Sequence, residues 1–516
     1  MQCNSLPVAH PPQLNLRGDK MGLFAGGLFA STQGSGAVAS KYDIYVDSVF
    51  GSDAKDGTTV ATAFASLAAA QAAAEILGAG AKIGLARGSH FREKLTITHD
   101  RVTVGAYGVG ERPIVDGSDI VLPTAWTKTA GRTHVYQCTL TVETDDRAEE
   151  QPNLWIDGAY AAIVGDLVTC DATPGSIYFA DVSTTTLTLY LHSTGSTDPT
   201  SDGKCYEAAV RVTGINSYDS DAAIIQDIEC RKNYCSYGSI IVGRFCQAIR
   251  CMARDGNTHN IYLRGGAKAI DCVADGFYHP TIDPIAFIAY DNMSTPMDVE
   301  YIRCVATIDE LISSAKGIGF YCHSGDVFGT ISYTDCEAHN VNIGFAVANA
   351  ELMSLHRCRV SRCLYAMETS SVDIACDGLI VRKTRLAGYW GNFSGEGIKV
   401  TLKNCDAEFD TTGNFRTLAS GQIFTMRDSR VAGANTILRA SAVGTTFIVK
   451  NNRFEPAIPG GNNRMSVVYD FQHPVTLQSD FNDFCGATGE FLFSGNTYEN
   501  PTDWIADSGQ DAHSVA

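Results

Sequence analysis

The chain has 516 residues, 45% of them hydrophobic, and only 15 prolines. That balance excludes a disordered chain, and the length suits several domains or one elongated repeat array. A formal charge of −18 argues against nucleic acid as a partner, and no apolar run reaches the ~20 residues of a membrane-spanning helix.

Residues 1–40 are polar and proline-bearing at first, then small and apolar with glycine and serine from Met21. Such a segment builds no core and is expected to be flexible or held by a partner. "MGLFAGGLFA" has the look of an export signal, although it is broken by glycine; a buried anchor is the other reading. Residues 41–118 follow a different logic. A short strand in "YDIYVDS" leads through a turn rich in glycine and aspartate to an alanine-dominated segment, Thr62 to Leu77. Phe64, Leu67, Ala68 and Ile76 are its larger apolar contacts, and Gly78 and Gly80 end it. This predicts a helix that caps the open end of a solenoid. "KIGLARG", "KLTIT" and "RVTVGAYG" then read as the first coil strands.

Residues 119–216 interrupt that pattern with hairpin-like runs such as "HVYQCTL", "NLWIDGAYAAIV" and "TTTLTLYLHS". They predict a small inserted β-subdomain. Trp155 and Tyr160 read as its core aromatics, with a sugar-stacking platform as the alternative.

From 217 to 500 a ladder of cysteines appears: Cys230, Cys251 and Cys272 are 21 residues apart, and Cys304, Cys336, Cys358 and Cys405 follow. Ser429 and Asn452 are plausible later members of the column. Each cysteine ends an alternating run such as "AKAIDC" or "ISYTDC", so the unit is strand and turn with no helix between. The fold expected is all-β, a parallel β-helix in which equivalent residues stack ~4.8 Å apart. A narrow interior column suits a small apolar thiol, and parallel Cβ vectors disfavour disulfides. The residues just before the cysteines, Glu229, Arg250, Asp271, Arg303, Asp335 and Arg357, alternate in sign, as stacked neighbours would. Three C-x4-C pairs occur, but that spacing puts the thiols on opposite strand faces, so no metal site is expected. No cofactor is expected either. Seventeen cysteines cannot all pair, which favours assembly in a reducing cytoplasm. Residues 501–516 read as a polar tail.

Insertions in a repeat array cluster on one face, often the binding face. The two longest coils are consecutive, and four of the twelve histidines lie in residues 259–339. The candidate acid/base groups are Asp255, Asp275, His279, Asp283, Glu310 and His323, with Arg254, His259, Lys316, Asp326 and His339 as substrate contacts. Asp255 and Asp275, on adjacent coils, are a possible glycosidic acid/base pair. As aspartates before glycine, they equally suit plain turns.

The order "IYVDS…GSD…DG", "ARGSHFREKLTI", "VTVGAYG.GERPIVDGSD" resembles the N-terminal part of pectate-lyase-like right-handed parallel β-helix proteins. That group includes secreted polysaccharide lyases and bacteriophage tailspike depolymerases, and "DGFYH" with "GFYCHSGD" is similar to paired polar segments in some members. The resemblance implies a right-handed β-helix and a carbohydrate substrate, and names no reaction. It suggests a homotrimeric tailspike-like protein of a phage virion, acting on a bacterial surface polysaccharide and held to the tail or baseplate through residues 1–40. A non-catalytic spike and a secreted bacterial lyase are the alternatives.

Overall fold

In the computed structural model, residues are described from 41 onward, except 144–151, 181–184, 235–236, 257, 277–283, 292–294, 309–316, 324–327, 383–388 and short segments after residue 394. Among the described residues the chain winds into coils whose strands build three long sheets of 14, 12 and 14 strands, parallel except for the final pair Glu490–Phe493 and Asn496–Tyr498. The protein is a parallel β-helix. The first sheet runs from Ile44–Val46 through strands such as Gln247–Ile249, Lys268–Ile270 and Val299–Ile302 to Thr476–Asp480. The second includes Glu229–Arg231, Met252–Arg254, Val273–Asp275 and Glu337–His339. The third includes Ile240–Val242, His259–Leu263, Ile285–Ala289 and Ile318–Cys322.

The corner from the first to the second sheet takes two residues. The first is left-handed (Asp227, Arg250, Asp271, Arg303, Asp335 and Arg357, φ +50 to +61°). The second points inward: Cys251, Cys272, Cys304, Cys336 and Cys358 are all buried. Their thiols also make hydrogen bonds. Cys251 Sγ donates to Ile225 O at 3.3 Å, Cys304 Sγ to Ala269 O at 3.3 Å and Cys358 Sγ to Tyr333 O at 3.4 Å. Each reaches the inward carbonyl of the coil before it. Further along the column, Asn452 Nδ2 and Asn482 Nδ2 donate to Met426 O and Val449 O, each at 3.0 Å. The cysteine is thus a ladder donor as well as a small apolar filler.

Cys230 does not belong to this column. Glu229 pairs in register with Met252, so Ile228 takes the corner and Cys230 lies opposite Ala253 within the second sheet. Likewise Asp227, and not Glu229, opens the charge column. Arg250 Nε meets Asp227 Oδ1 at 2.7 Å, Arg303 Nε meets Asp271 Oδ1 at 2.6 Å and Arg357 Nε meets Asp335 Oδ1 at 2.7 Å. Cys230, Cys251, Cys272, Cys304, Cys336, Cys358, Cys376 and Cys405 are free thiols. Inside the widest coils, Phe287, Phe320 and Phe345 stack at 4.8 and 5.0 Å, and Tyr301 stacks on Tyr333 at 5.1 Å.

The N-terminal cap is the helix Leu67–Leu77, started by Ser66, whose side chain accepts from Ala69 N. It begins five residues later than the sequence suggests, because Val60–Thr62 forms a separate 3-10 turn. Leu67, Ala70 and Ala74 face the core, whereas Ile76 is 87% exposed and Ala68 also faces solvent. At the other end, the expected tail contains the helix Pro501–Ser508, which buries Trp504 in the main core. Between Ser118 and Ala209 lie a four-stranded and a five-stranded sheet, built largely from antiparallel pairs around Trp126, Trp155 and Tyr206. A short helix, Leu167–Ala172, capped by Asp166, was not legible in the sequence.

The ladder is testable. Cys304→Ser keeps a donor for Ala269 O, and Ser429 already fills this column. Urea unfolding is expected to show Cys304→Ser within about 1 kcal/mol of the parent and Cys304→Ala losing about 1–3 kcal/mol.

Candidate functional site

The inserted subdomain meets the second sheet along a line of charged side chains. Asp116 ends the strand Ile114–Asp116 and its side chain is fully buried. Its Oδ1 accepts from Ser118 N at 2.9 Å and Ser118 Oγ at 2.6 Å, and its Oδ2 accepts from Arg231 Nε at 2.9 Å. His90 Nε2 lies 2.8 Å from the same Oδ2. Burial pushes this carboxyl upward, but His90, Arg231, Arg92 and Lys232 outweigh it and hold it well below the usual range. Arg92 and Lys232 also pair with Glu207 of the subdomain, each at 2.6 Å, and Lys232 Nζ lies 5.0 Å from the Trp155 ring centre. This network clamps the subdomain to the solenoid.

Asp255 lies one coil beyond Lys232, at the corner from the second to the third sheet, with φ +55°. Its amide donates to Asp275 O at 3.1 Å. The Tyr160 hydroxyl of the subdomain lies 3.2 Å from Asp255 Oδ1 and 2.9 Å from Gly276 O. The next coil has glycine here for a reason: a Cβ on Gly276 would come 2.9 Å from Asp255 Oδ1. Burial raises the Asp255 carboxyl to about 6, against the lowering pull of Lys232, Arg254 and the Tyr160 hydrogen bond, while Asp275 adds to the rise. Asp275 is more open and pairs with Arg254 Nη2 at 3.6 Å, directly across the ladder. Two carboxyls on neighbouring coils thus sit in unlike environments, one favouring its proton and the other beside a cation.

The remaining candidates divide. His339 stands in the same outward column as Asp275, two coils on with Thr307 between, where its ring nitrogens meet Ser361 Oγ at 2.6 Å and Glu337 Oε2 at 2.8 Å. His259 opens a third-sheet strand in register with Ile285. His323 follows the far end of the strand Ile318–Cys322, its ring 4.7 Å from that of Tyr290. Five strand residues, roughly 17 Å, separate that end from the Asp255 corner. There Asp291 binds Arg244 and Arg264, and Arg264 lies 3.8 Å over the Tyr218 ring. His279, Asp283, Glu310, Lys316 and Asp326 lie outside the described residues.

Sequence reasoning missed Asp116, Lys232 and Glu207. The one signal for Asp116 was "VDGSD", where an aspartate two residues before a serine marks a side chain that folds back on the backbone. Trp155 is 1% exposed and belongs to the subdomain core, as read from its sequence. Tyr160 packs on it but sends its hydroxyl out to the solenoid.

The chain is similar to a solved structure described as XylC in complex with xylose, at 11% identity and a TM-score of 0.51, over 85% of this chain and 83% of that one. The likeness is one of fold. Weaker matches are a structure described as a glycoside hydrolase (10% identity, TM-score 0.48, 81% of this chain and 96% of that one) and the Pseudomonas phage phi297 tailspike gp61 (10%, 0.22, 81% and 75%). No family model matches the sequence, and no curated protein matches it.

The clamp yields a prediction. Asp116→Asn is expected to destabilise the fold by about 3 kcal/mol at pH 7, read by urea unfolding. Because the folded-state pKa is depressed, the carboxylate's contribution is complete above its unfolded value of about 3.9. The gap between parent and variant should therefore shrink as pH falls below about 4.

Proposed function

We propose that this protein binds a bacterial surface polysaccharide and cleaves it by acid/base glycosidic chemistry at the Asp255–Asp275 corner. The observation that carries this reading is the pairing of a carboxyl raised to about 6 with an ion-paired carboxylate on the adjacent coil. Protonated Asp255 gives its proton to the glycosidic oxygen as the bond to the anomeric carbon breaks. Ionised Asp275 takes the proton of the water that adds to that carbon. Arg254 pairs with Asp275, and Lys232 tempers the rise at Asp255. The long flank of a β-helix suits a polymer lying across several coils. In this reading the protein is a tailspike-like receptor-binding protein of a phage virion, a homotrimer held to the tail or baseplate by residues 1–40. The odd cysteine number supports assembly in a reducing cytoplasm.

A binding-only spike is the second reading, favoured by the way Tyr160 shelters Asp255. Incubation with host capsule or lipopolysaccharide separates the two: chain shortening with new reducing ends supports cleavage, and retention without shortening supports the spike. If cleavage occurs, Asp255→Asn is expected to lower its rate by about 10²–10⁴-fold. Activity should fall as pH rises above about 6, when the acid loses its proton. Tyr160→Phe removes a hydrogen bond that lowers the pKa, so that limb should move to higher pH. Light scattering should give three times the 55.3 kDa chain mass.

A further inference from the structure

The corner from the third to the first sheet is also left-handed. Its column runs Arg101, Ala222, Phe245 and Gly266 on successive coils, with Ser371, Gly397, Gly421 and Gly444 further along, at φ between +57 and +76°. Glycine takes this conformation freely, whereas for a bulky residue it is an outlier. Phe245 bears that strain and is also 50% exposed, so it brings the core little. The next coil is shaped to receive the ring: a Cβ on Gly266 would lie 2.4 Å from Phe245 Cδ1.

The ring borders a groove of about 540 Å³, also lined by Gly266, Lys268, Asp298, Glu300 and Thr330. Lys268 Nζ is neutralised by Glu300 Oε2 at 2.6 Å. Asp298 Oδ1 accepts from Thr330 N at 2.7 Å, and no described residue engages its Oδ2. Among the described residues the groove thus offers an aromatic face, a carboxylate oxygen with no partner, a hydroxyl and one negative charge in excess. That combination suits the apolar face and hydroxyls of an uncharged sugar and repels a uronate. Strain kept at an exposed aromatic beside a cavity points from outlier to use.

We propose that this groove is a second, non-catalytic saccharide subsite that takes an uncharged hexose segment stacked on Phe245. The inference rests on the glycan class proposed above but not on the carboxylate pair, which lies at a different corner. The test uses the full chain carrying Asp255→Asn, so that turnover does not consume the probes. Maltohexaose, cellohexaose and laminarihexaose are compared with trigalacturonate by saturation-transfer NMR. At least one neutral hexasaccharide is expected to bind better than the uronate, and Phe245→Gly should weaken it at least tenfold. The Tm of Phe245→Gly should be unchanged or higher, since glycine relieves the strain. Absence of neutral-sugar binding, binding indifferent to Phe245→Gly, or a Tm lowered by several degrees would each overturn the subsite. Cleavage lost in Asp255→Asn with neutral-sugar binding kept would leave both readings standing. Cleavage that survives in Asp255→Asn would sink the carboxylate pair alone.

Discussion

A solenoid must satisfy the backbone of every coil through its neighbours, and in this chain the tightest place to do so is the corner after the first sheet. Two residues turn the chain there, one left-handed and one inward. The inward side chain faces a buried ladder carbonyl of the coil before it and can add a second donor to the amide that carbonyl already accepts. Thiols meet that carbonyl in the middle coils and asparagine amides meet it toward the C-terminus. Register in all three sheets follows, because a coil that slipped by one residue would turn its donor outward.

The same geometry explains what the sequence could disclose. Cys251, Cys272 and Cys304 announce the repeat because donor size and burial restrict that position to few residue types. Cys230 misleads for an equally physical reason: residues two apart on a strand share a face, so Ile228 and Cys230 both point inward and spacing alone cannot rank them. The sign alternation was visible, yet its first acid is Asp227, two residues upstream of the one the period suggested. The cap helix was legible from its alanines. The C-terminal helix was not, since one tryptophan in a polar stretch leaves no period to read.

At the candidate site, Asp255 and Asp275 could be placed on neighbouring coils from the ladder alone. What sets them apart could not. Tyr160 lies 95 residues before Asp255 in sequence and reaches it only because the subdomain docks on the second sheet. Docking in turn depends on Asp116, Arg92, Lys232 and Glu207, which belong to three separate parts of the chain. Proton affinity at Asp255 is therefore set jointly by the solenoid's own Lys232, Arg254 and Asp275 and by the Tyr160 hydroxyl that the docked subdomain brings to it.

The ion pairs along the first corner close two by two: Arg250 on Asp227, Arg303 on Asp271, Arg357 on Asp335. The electrostatic repeat is therefore twice the structural one. Excision of a single turn from this stretch would set like charges side by side, whereas removal or duplication of two would leave every partner intact. A lineage that lengthens or shortens this part of its solenoid would do so most readily in even steps.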